Sequence, residues 1–319
     1  MQALLVLNGG VGDIVRCSCL IRVLTGLGYE VDLLLVPHYP TVLPLYDGHP
    51  EIRKVYLFQH PFGKPLTPTY EPIRDTVYDL AVIRIRRTDI KNLVRAHRRI
   101  WASVHCYSKG DAYFCESIAA KLGWQGPLPH TFALYSDRKF EIAPDTVAMH
   151  AGCHPNRHFK KWHGYDALAR EFPHVAIVGS SDDLFVETTY FQSAFEWPPN
   201  VTDFTGLDLP DTASLFRQCR MMISNDSGLM HLAVAMGTPT YGIFGITSPH
   251  RELMPFDNMR AVTKRLPCEP ACWVSEYETD CQYHLQCLKT LTPAEVLHQI
   301  ESGSAHTKAS AQKIAAAAR

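Results

Sequence analysis

The chain has 319 residues, more than one ordinary domain holds, and fits two domains of about 150 residues each. Its 31 basic and 32 acidic residues exclude a globally basic nucleic-acid coat and an acidic tail protein. Hydrophobic residues make up 46%, enough for two buried cores.

The start, Met1-Gln2-Ala3-Leu4-Leu5-Val6-Leu7-Asn8, has no basic region and too short an apolar run for an export signal, so it reads as a buried strand. No stretch approaches the roughly 18 apolar residues of a membrane span. Ten cysteines without an export signal point to reduced thiols or a metal site. The expected location is cytoplasmic, with contact at the inner face of the membrane left open.

Residues 3–8 form the first predicted strand, followed by the turn Gly9-Gly10-Val11-Gly12 and a helix over 13–27 that Gly28 closes. Further strands are predicted at 30–36, 55–58 and 79–85. Between Arg84 and Arg99 seven basic residues face one acid, Asp89, in an otherwise neutral protein. Such a run is either a solvated helix face or a receiver for an anionic acceptor, and Arg84, Arg86 and Arg87 are the candidates for the second role.

Prolines and turn residues between 123 and 144 mark a division, giving domains at 1–143 and 144–302 and a flexible tail at 303–319. The second half repeats the alternation, with strands at 146–151, 174–179, 221–224 and 240–244, and helices at 165–172, 214–219, 229–236 and 292–300. Thr292, Pro293 and Glu295 make a helix start. The fold class is therefore α/β, two Rossmann-like domains facing a central cleft.

The most informative stretch is Asn225-Asp226-Ser227-Gly228-Leu229-Met230-His231, between a buried strand and a helix. Free N–H groups at the helix start make an anion pocket, and Gly228 lets a phosphate approach the backbone. His231 is placed to donate to a phosphate oxygen. A carboxylate such as Asp226 would repel phosphate and suits sugar hydroxyls better. The plain alternative is a helix cap with His231 on its surface.

This block, with Leu232-Ala233, Gly237-Thr238-Pro239, Phe244-Gly245-Ile246-Thr247-Ser248-Pro249, Asp203-Phe204-Thr205-Gly206, His150-Ala151-Gly152, Lys160-Lys161-Trp162 and Gly12-Asp13, resembles glycosyltransferase family 9, the ADP-heptose:lipopolysaccharide heptosyltransferases. The resemblance runs in order from about residue 2 to 300. Ile246 and His163 stand where the family usually has proline.

The resemblance implies a GT-B fold with the donor bound mainly by the second domain, and an inverting transfer of a sugar, heptose by family default, from a nucleotide-diphosphate donor. The acceptor would be anionic, such as a lipopolysaccharide core, with protein or nucleic acid as alternatives. A non-catalytic nucleotide-sugar or nucleic-acid binding protein of the same fold is the rival reading. Asp13 resembles the family's general base, against the alternative of a helix cap, and Gly10 and Gly12 would let the acceptor approach. Lys160 or Lys161, with the weight on Lys161, would neutralise the leaving diphosphate in place of a catalytic metal, and residues 179–183 would meet the nucleotide ribose or base.

Cys268, Cys272, Cys281 and Cys287 follow the spacing C-x3-C-x8-C-x5-C. Four thiolates suit a structural zinc or iron ion, and reduced loop cysteines are the alternative. Comparable cysteines occur in parts of the family, with iron-binding ones among its autotransporter heptosyltransferases.

Overall fold

The computed structural model describes residues 1–58, 73, 75–84, 94–101, 109–188, 191–268, 281 and 283–309. They fall into two compact units, Met1–Tyr135 and Ser136–Arg319.

The first unit holds a five-stranded parallel sheet in the order β3-β2-β1-β4-β5. Its strands are β1 (Gln2–Gly9), β2 (Glu30–Pro37), β3 (Lys54–Leu57), β4 (Val77–Arg84) and β5 (Arg95–Trp101). Residues Ala3 to Leu7 are fully buried, because β1 is central and covered on both faces, and this is why its apolar run is unbroken. Leu5 lies in register with Leu33 on one side and Val82 on the other.

The single helix predicted over 13–27 is two, α1 (Val11–Cys17) and α2 (Cys19–Gly26). Ser18 stands at the break. Its hydroxyl donates to the Val15 carbonyl at 2.8 Å and accepts the Phe132 N–H at 2.9 Å, so it competes with the helix ladder. β5 is a second departure: Arg95, Arg98 and Arg99 lie exposed on an edge strand, not on a helix. Edge strands take such charges because they deter pairing with other chains. α3 (Asp111–Leu122) completes the unit and ends on Gly123 in the left-handed region.

The second unit has a six-stranded parallel sheet, β10-β7-β6-β11-β12-β13, and a two-stranded antiparallel hairpin, β8-β9. The strands are β6 (Val147–His150), β7 (Val175–Ile177), β8 (Phe185–Thr188), β9 (Phe191–Ala194), β10 (Val201–Asp203), β11 (Met221–Asn225), β12 (Thr240–Phe244) and β13 (Met259–Thr263). The helices are α4 (Tyr165–Ala169), α5 (Leu209–Gln218), α6 (Gly228–Ala235), α7 (Pro249–Glu252), α8 (Gln286–Lys289) and α9 (Pro293–Glu301). Thr292 caps α9 in a capping box with Glu295.

The chain after α9 was expected to be a flexible tail from 303. Its described part instead packs on the sheet: His306 bridges Ala261 of β13, and Lys308 is buried. The Lys308 ammonium donates at 3.0 Å to the carbonyls of both His250 and Leu253, satisfying the end of α7.

Each sheet reverses its strand order once, beside β1 and β4 in the first unit and beside β6 and β11 in the second. In open parallel sheets ligands bind outside the carboxyl ends of the strands at such a reversal. The residues there are Gly9 to Asp13 in one unit, and His150 to Gly152 with Asn225 to Ser227 in the other.

Candidate functional site

In the first unit, the turn after β1 depends on Gly9, whose φ of +124° is open only to glycine. A Cβ there would also lie 2.6 Å from the Asp13 carboxylate. Gly10 is the N-cap of α1, and Gly12 is buried inside that helix. Asp13 is therefore the third helical residue, and its Oδ2 accepts the Gly10 N–H at 2.8 Å. Its other oxygen meets Arg16 at 3.0 Å and Arg84 at 3.3 Å, and its side chain remains 32% exposed. Asp13 is thus both a helix-start residue and a carboxylate open to a ligand.

Arg84 is not the open acceptor-binding cation that the charge run suggested. It is buried at 6% exposure, pairs with Asp111 at 2.6 Å, and donates to the Asn8 carbonyl at 2.5 Å. Burial works against its charge, but the Asp111 and Asp13 carboxylates outweigh it and hold its pKa above the ordinary arginine value. Arg16 joins the same group, 3.0 Å from Asp111. The two arginines and two aspartates form one alternating network that fixes the Asp13 side chain. Arg86 and Arg87 lie outside the described residues.

In the second unit, Asn225 ends β11 and is fully buried. Its amide donates to the carbonyls of Ala151 (2.7 Å) and Gly152 (3.3 Å), and its oxygen accepts the Trp162 N–H (3.1 Å) and the Tyr165 hydroxyl (3.2 Å). The Trp162 indole donates to the Leu291 carbonyl at 2.9 Å. One buried amide therefore ties together the loop after β6, the Lys160-Lys161-Trp162 segment and the end of β11. This is how residues more than sixty positions apart are held at one strand end.

Ser227 is the N-cap of α6, and its hydroxyl accepts the Met230 N–H. That leaves Gly228 and Leu229, both partly exposed, on the open first turn. The His150 Nδ1 lies 2.9 Å from the Ser227 Oγ, and its Nε2 lies 3.4 Å from Asp183. Asp183 also accepts the N–H and hydroxyl of Ser180, at 2.9 and 3.0 Å. Gly152 makes room for it, since a Cβ at that position would overlap the Asp183 carboxylate. Burial alone would raise the Asp183 pKa, yet His150 and Ser180 lower it to about 2.

The two lysines have different partners. Lys160 forms an ion pair with Asp226, whose carboxylate is 5% exposed. Burial opposes the charge on Lys160, but Asp226 and Glu252 outweigh it and raise its pKa. Lys161 is buried and 4.0 Å from Asp183. The lysine beside the helix start and Asp226 is therefore Lys160, where the sequence had put the weight on Lys161. His231 is 3% exposed, and Met230 is fully buried with its sulfur against Gly242. Met230 is thus a core residue within the donor block.

Cys268, Cys281 and Cys287 are partly buried, and Cys272 lies outside the described residues. The Leu285 N–H donates to the Cys281 sulfur at 3.4 Å from a stretch where His284 and Leu285 both have positive φ. Among the described residues no helix is long and apolar enough to cross a membrane.

Sequence reasoning missed Arg16, Asp111, Glu252 and the coupling of His150 to Asp183. The pair Asp183 and His150 did carry a signal, since both stand at predicted strand ends.

Residues 128–277 match glycosyltransferase family 9 (heptosyltransferase). Over 95 residues the chain is 35% identical to lipooligosaccharide heptosyltransferase 2 of Haemophilus ducreyi, a stretch that is 29% of this chain and 26% of that protein. The chain therefore spans about a quarter of the length of that curated relative in the match. The structure of E. coli ADP-heptose lps heptosyltransferase II aligns over 95% of this chain and 98% of its own, with a TM-score of 0.70 at 18% identity. E. coli heptosyltransferase WaaC, solved with ADP and with ADP-2-deoxy-2-fluoro heptose, aligns over 95% of this chain with a TM-score of 0.65 at 15% identity. Those alignments cover 99% and 100% of the WaaC chains. The resemblance read from Asn225 to Ala233 and the α/β, GT-B fold class are borne out.

Proposed function

We propose that this chain is a family 9 glycosyltransferase, an inverting enzyme that moves a sugar from a nucleotide-diphosphate donor to a hydroxyl of an anionic acceptor. The observation that carries the reading is the Lys160–Asp226 pair beside the open first turn of α6, at the strand-order reversal of the second unit. A diphosphate is recognised there by the N–H groups of Gly228 and Leu229, the helix dipole and the Lys160 ammonium. Asp226, released as Lys160 turns to phosphate, accepts from sugar hydroxyls.

In the transfer, the acceptor oxygen attacks the anomeric carbon as the bond to the diphosphate oxygen breaks, which inverts that carbon. The acceptor proton goes to the Asp13 carboxylate. Lys160 and the α6 N–H groups stabilise the charge growing on the departing diphosphate, the work a catalytic metal does in other enzymes. The aspartate network of the first unit orients Asp13 through Arg16 and Arg84.

The donor assigned by this reading is ADP-heptose and the acceptor a lipopolysaccharide core, in the cytoplasm, in line with the ADP and ADP-sugar found with the structural relatives. The described cations for an anionic acceptor are Arg95, Arg98 and Arg99 on β5, rather than Arg84. The four cysteines would hold a structural zinc or iron ion, a donor set that suits either metal, and supply no step of the transfer. The Leu285 N–H on Cys281 fits this, because such donors favour a thiolate.

A thermal-shift panel of ADP-, GDP-, UDP- and CDP-sugars tests the donor. A ligand at about 100 times its Kd stabilises by roughly 2.7 kcal/mol, several degrees in melting temperature. A shift with the ADP series alone is expected; no shift with any nucleotide would overturn the reading.

A further inference from the structure

Asp183 in the loop after β7, His150 at the end of β6 and Ser227, the cap of α6, stand in one line of hydrogen bonds. Two glycines make room for it. One is Gly152; the other is Gly179, whose φ is +123°. A Cβ on Gly179 would lie 2.6 Å from the Asp183 carboxylate and 2.8 Å from the His150 ring. A serine cap needs no second partner to hold a first turn. This one is backed by a histidine that is 5% exposed, with a carboxylate behind it.

The protons along the line follow from its ends. Asp183 is ionised, with a pKa of about 2, and can only accept. Its Oδ2 takes both donors of Ser180 and faces the His150 Nε2 at 3.4 Å, while its Oδ1 faces Lys161 at 4.0 Å. In the neutral ring the proton therefore lies on Nε2, and Nδ1 is an acceptor. The Ser224 hydroxyl, 3.4 Å from Nδ1, already donates to the Asn225 carbonyl at 2.7 Å. Nδ1 thus accepts from Ser227 at 2.9 Å, which turns the Ser227 lone pairs to the Met230 N–H.

We propose that Asp183 is a positioning residue for the donor diphosphate, acting through His150 to fix the Ser227 hydroxyl and hence the N–H groups of Gly228 and Leu229. The inference rests on the reading of this site as a nucleotide-sugar site. Without the carboxylate, the ring proton can sit on either nitrogen. An N–H on Nδ1 drives the Ser227 proton out of the line, and the cap loses its single orientation. The rival role for Asp183 is a direct contact with the nucleotide ribose, which does not depend on His150.

The test is a double-mutant cycle on the full chain, read by calorimetric titration with ADP. Asp183→Ala is expected to raise the Kd for ADP about tenfold, the factor for one hydrogen bond to a charged group. His150→Asn can place an amide oxygen where Nδ1 stands, so Ser227 keeps its acceptor without help from Asp183. In that background Asp183→Ala is expected to change the Kd by less than about twofold. An unchanged Kd in Asp183→Ala alone would overturn the proposal. An equal loss in both backgrounds would overturn it in favour of the ribose contact.

A second readout stands even where Asp183→Ala lowers stability. In the ¹⁵N NMR spectrum of the wild type at about pH 8, the His150 signals, identified by their absence from His150→Asn, are expected to show Nε2 protonated and Nδ1 bare. A proton on Nδ1 would overturn the proposal. Failure of the wild type to bind ADP at all would overturn the donor reading itself, and this inference with it.

Discussion

The Nδ1 of His150 lies 2.9 Å from the Oγ of Ser227, so the hydroxyl that starts α6 is itself held from the end of β6. A cap that is fixed in this way sets the direction of the first turn, and with it the N–H groups of Gly228 and Leu229. Replacing Ser227 by alanine removes the acceptor for the Met230 N–H and leaves His150 without this partner. We predict a loss of between about 1 and 3 kcal/mol in urea unfolding, with a weaker ADP complex. Stability equal to wild type would show that the cap does not hold the turn.

Asp183 lies on the far side of the same histidine and has a pKa of about 2 against an ordinary 3.8. A carboxyl whose folded pKa is depressed adds stability that is present above its unfolded pKa and lost as pH falls through the folded one. The contribution is of the order of 2 kcal/mol and disappears between about pH 4 and pH 2. Asp183→Asn should therefore be less stable than wild type at pH 7, with the difference shrinking on acidification. A difference that stays constant from pH 7 to pH 3 would contradict the network described around His150.

Cys153 sits in the same neighbourhood and donates to the Arg157 carbonyl at 3.1 Å. Lys161 and Lys160 act to lower its pKa, but burial dominates over them and pushes it up to about 12. Iodoacetamide at pH 7.5 should leave Cys153 unmodified in the folded protein, as read by peptide mass spectrometry. Rapid alkylation at Cys153 would contradict that environment.

The four cysteines of the second unit give a separate outcome. Elemental analysis of the purified protein should find about one zinc or iron per chain, lost in Cys281→Ser. Metal-free wild type would leave Cys268, Cys281 and Cys287 as ordinary reduced thiols.

Much of the fold was legible because the central strands are covered on both faces. Residues 3–8, 221–224 and 240–244 are apolar runs between turn residues, and each is a strand. β5 was hidden because an edge strand carries charges in place of an apolar run, and Ser18 concealed the break between α1 and α2 because serine also occurs within helices. The donor turn was readable from Ser227 and Gly228, whose roles are local to the helix start. Arg16, Asp111 and Glu252 were not, since their meaning lies in partners far away in sequence. Arg84 was misjudged for the same reason: its charged neighbours pointed outward, while Asp111, 27 residues on, draws it inward.

We propose that Asp13 takes the acceptor proton during transfer from a nucleotide sugar. The most direct measurement is acceptor-dependent release of ADP from ADP-heptose, with a heptose-free lipopolysaccharide core, for the wild type and Asp13→Asn. We expect turnover by the wild type and a fall of between about 10² and 10⁴ in kcat for Asp13→Asn, with the Kd for ADP unchanged. Equal kcat in the two proteins would contradict it.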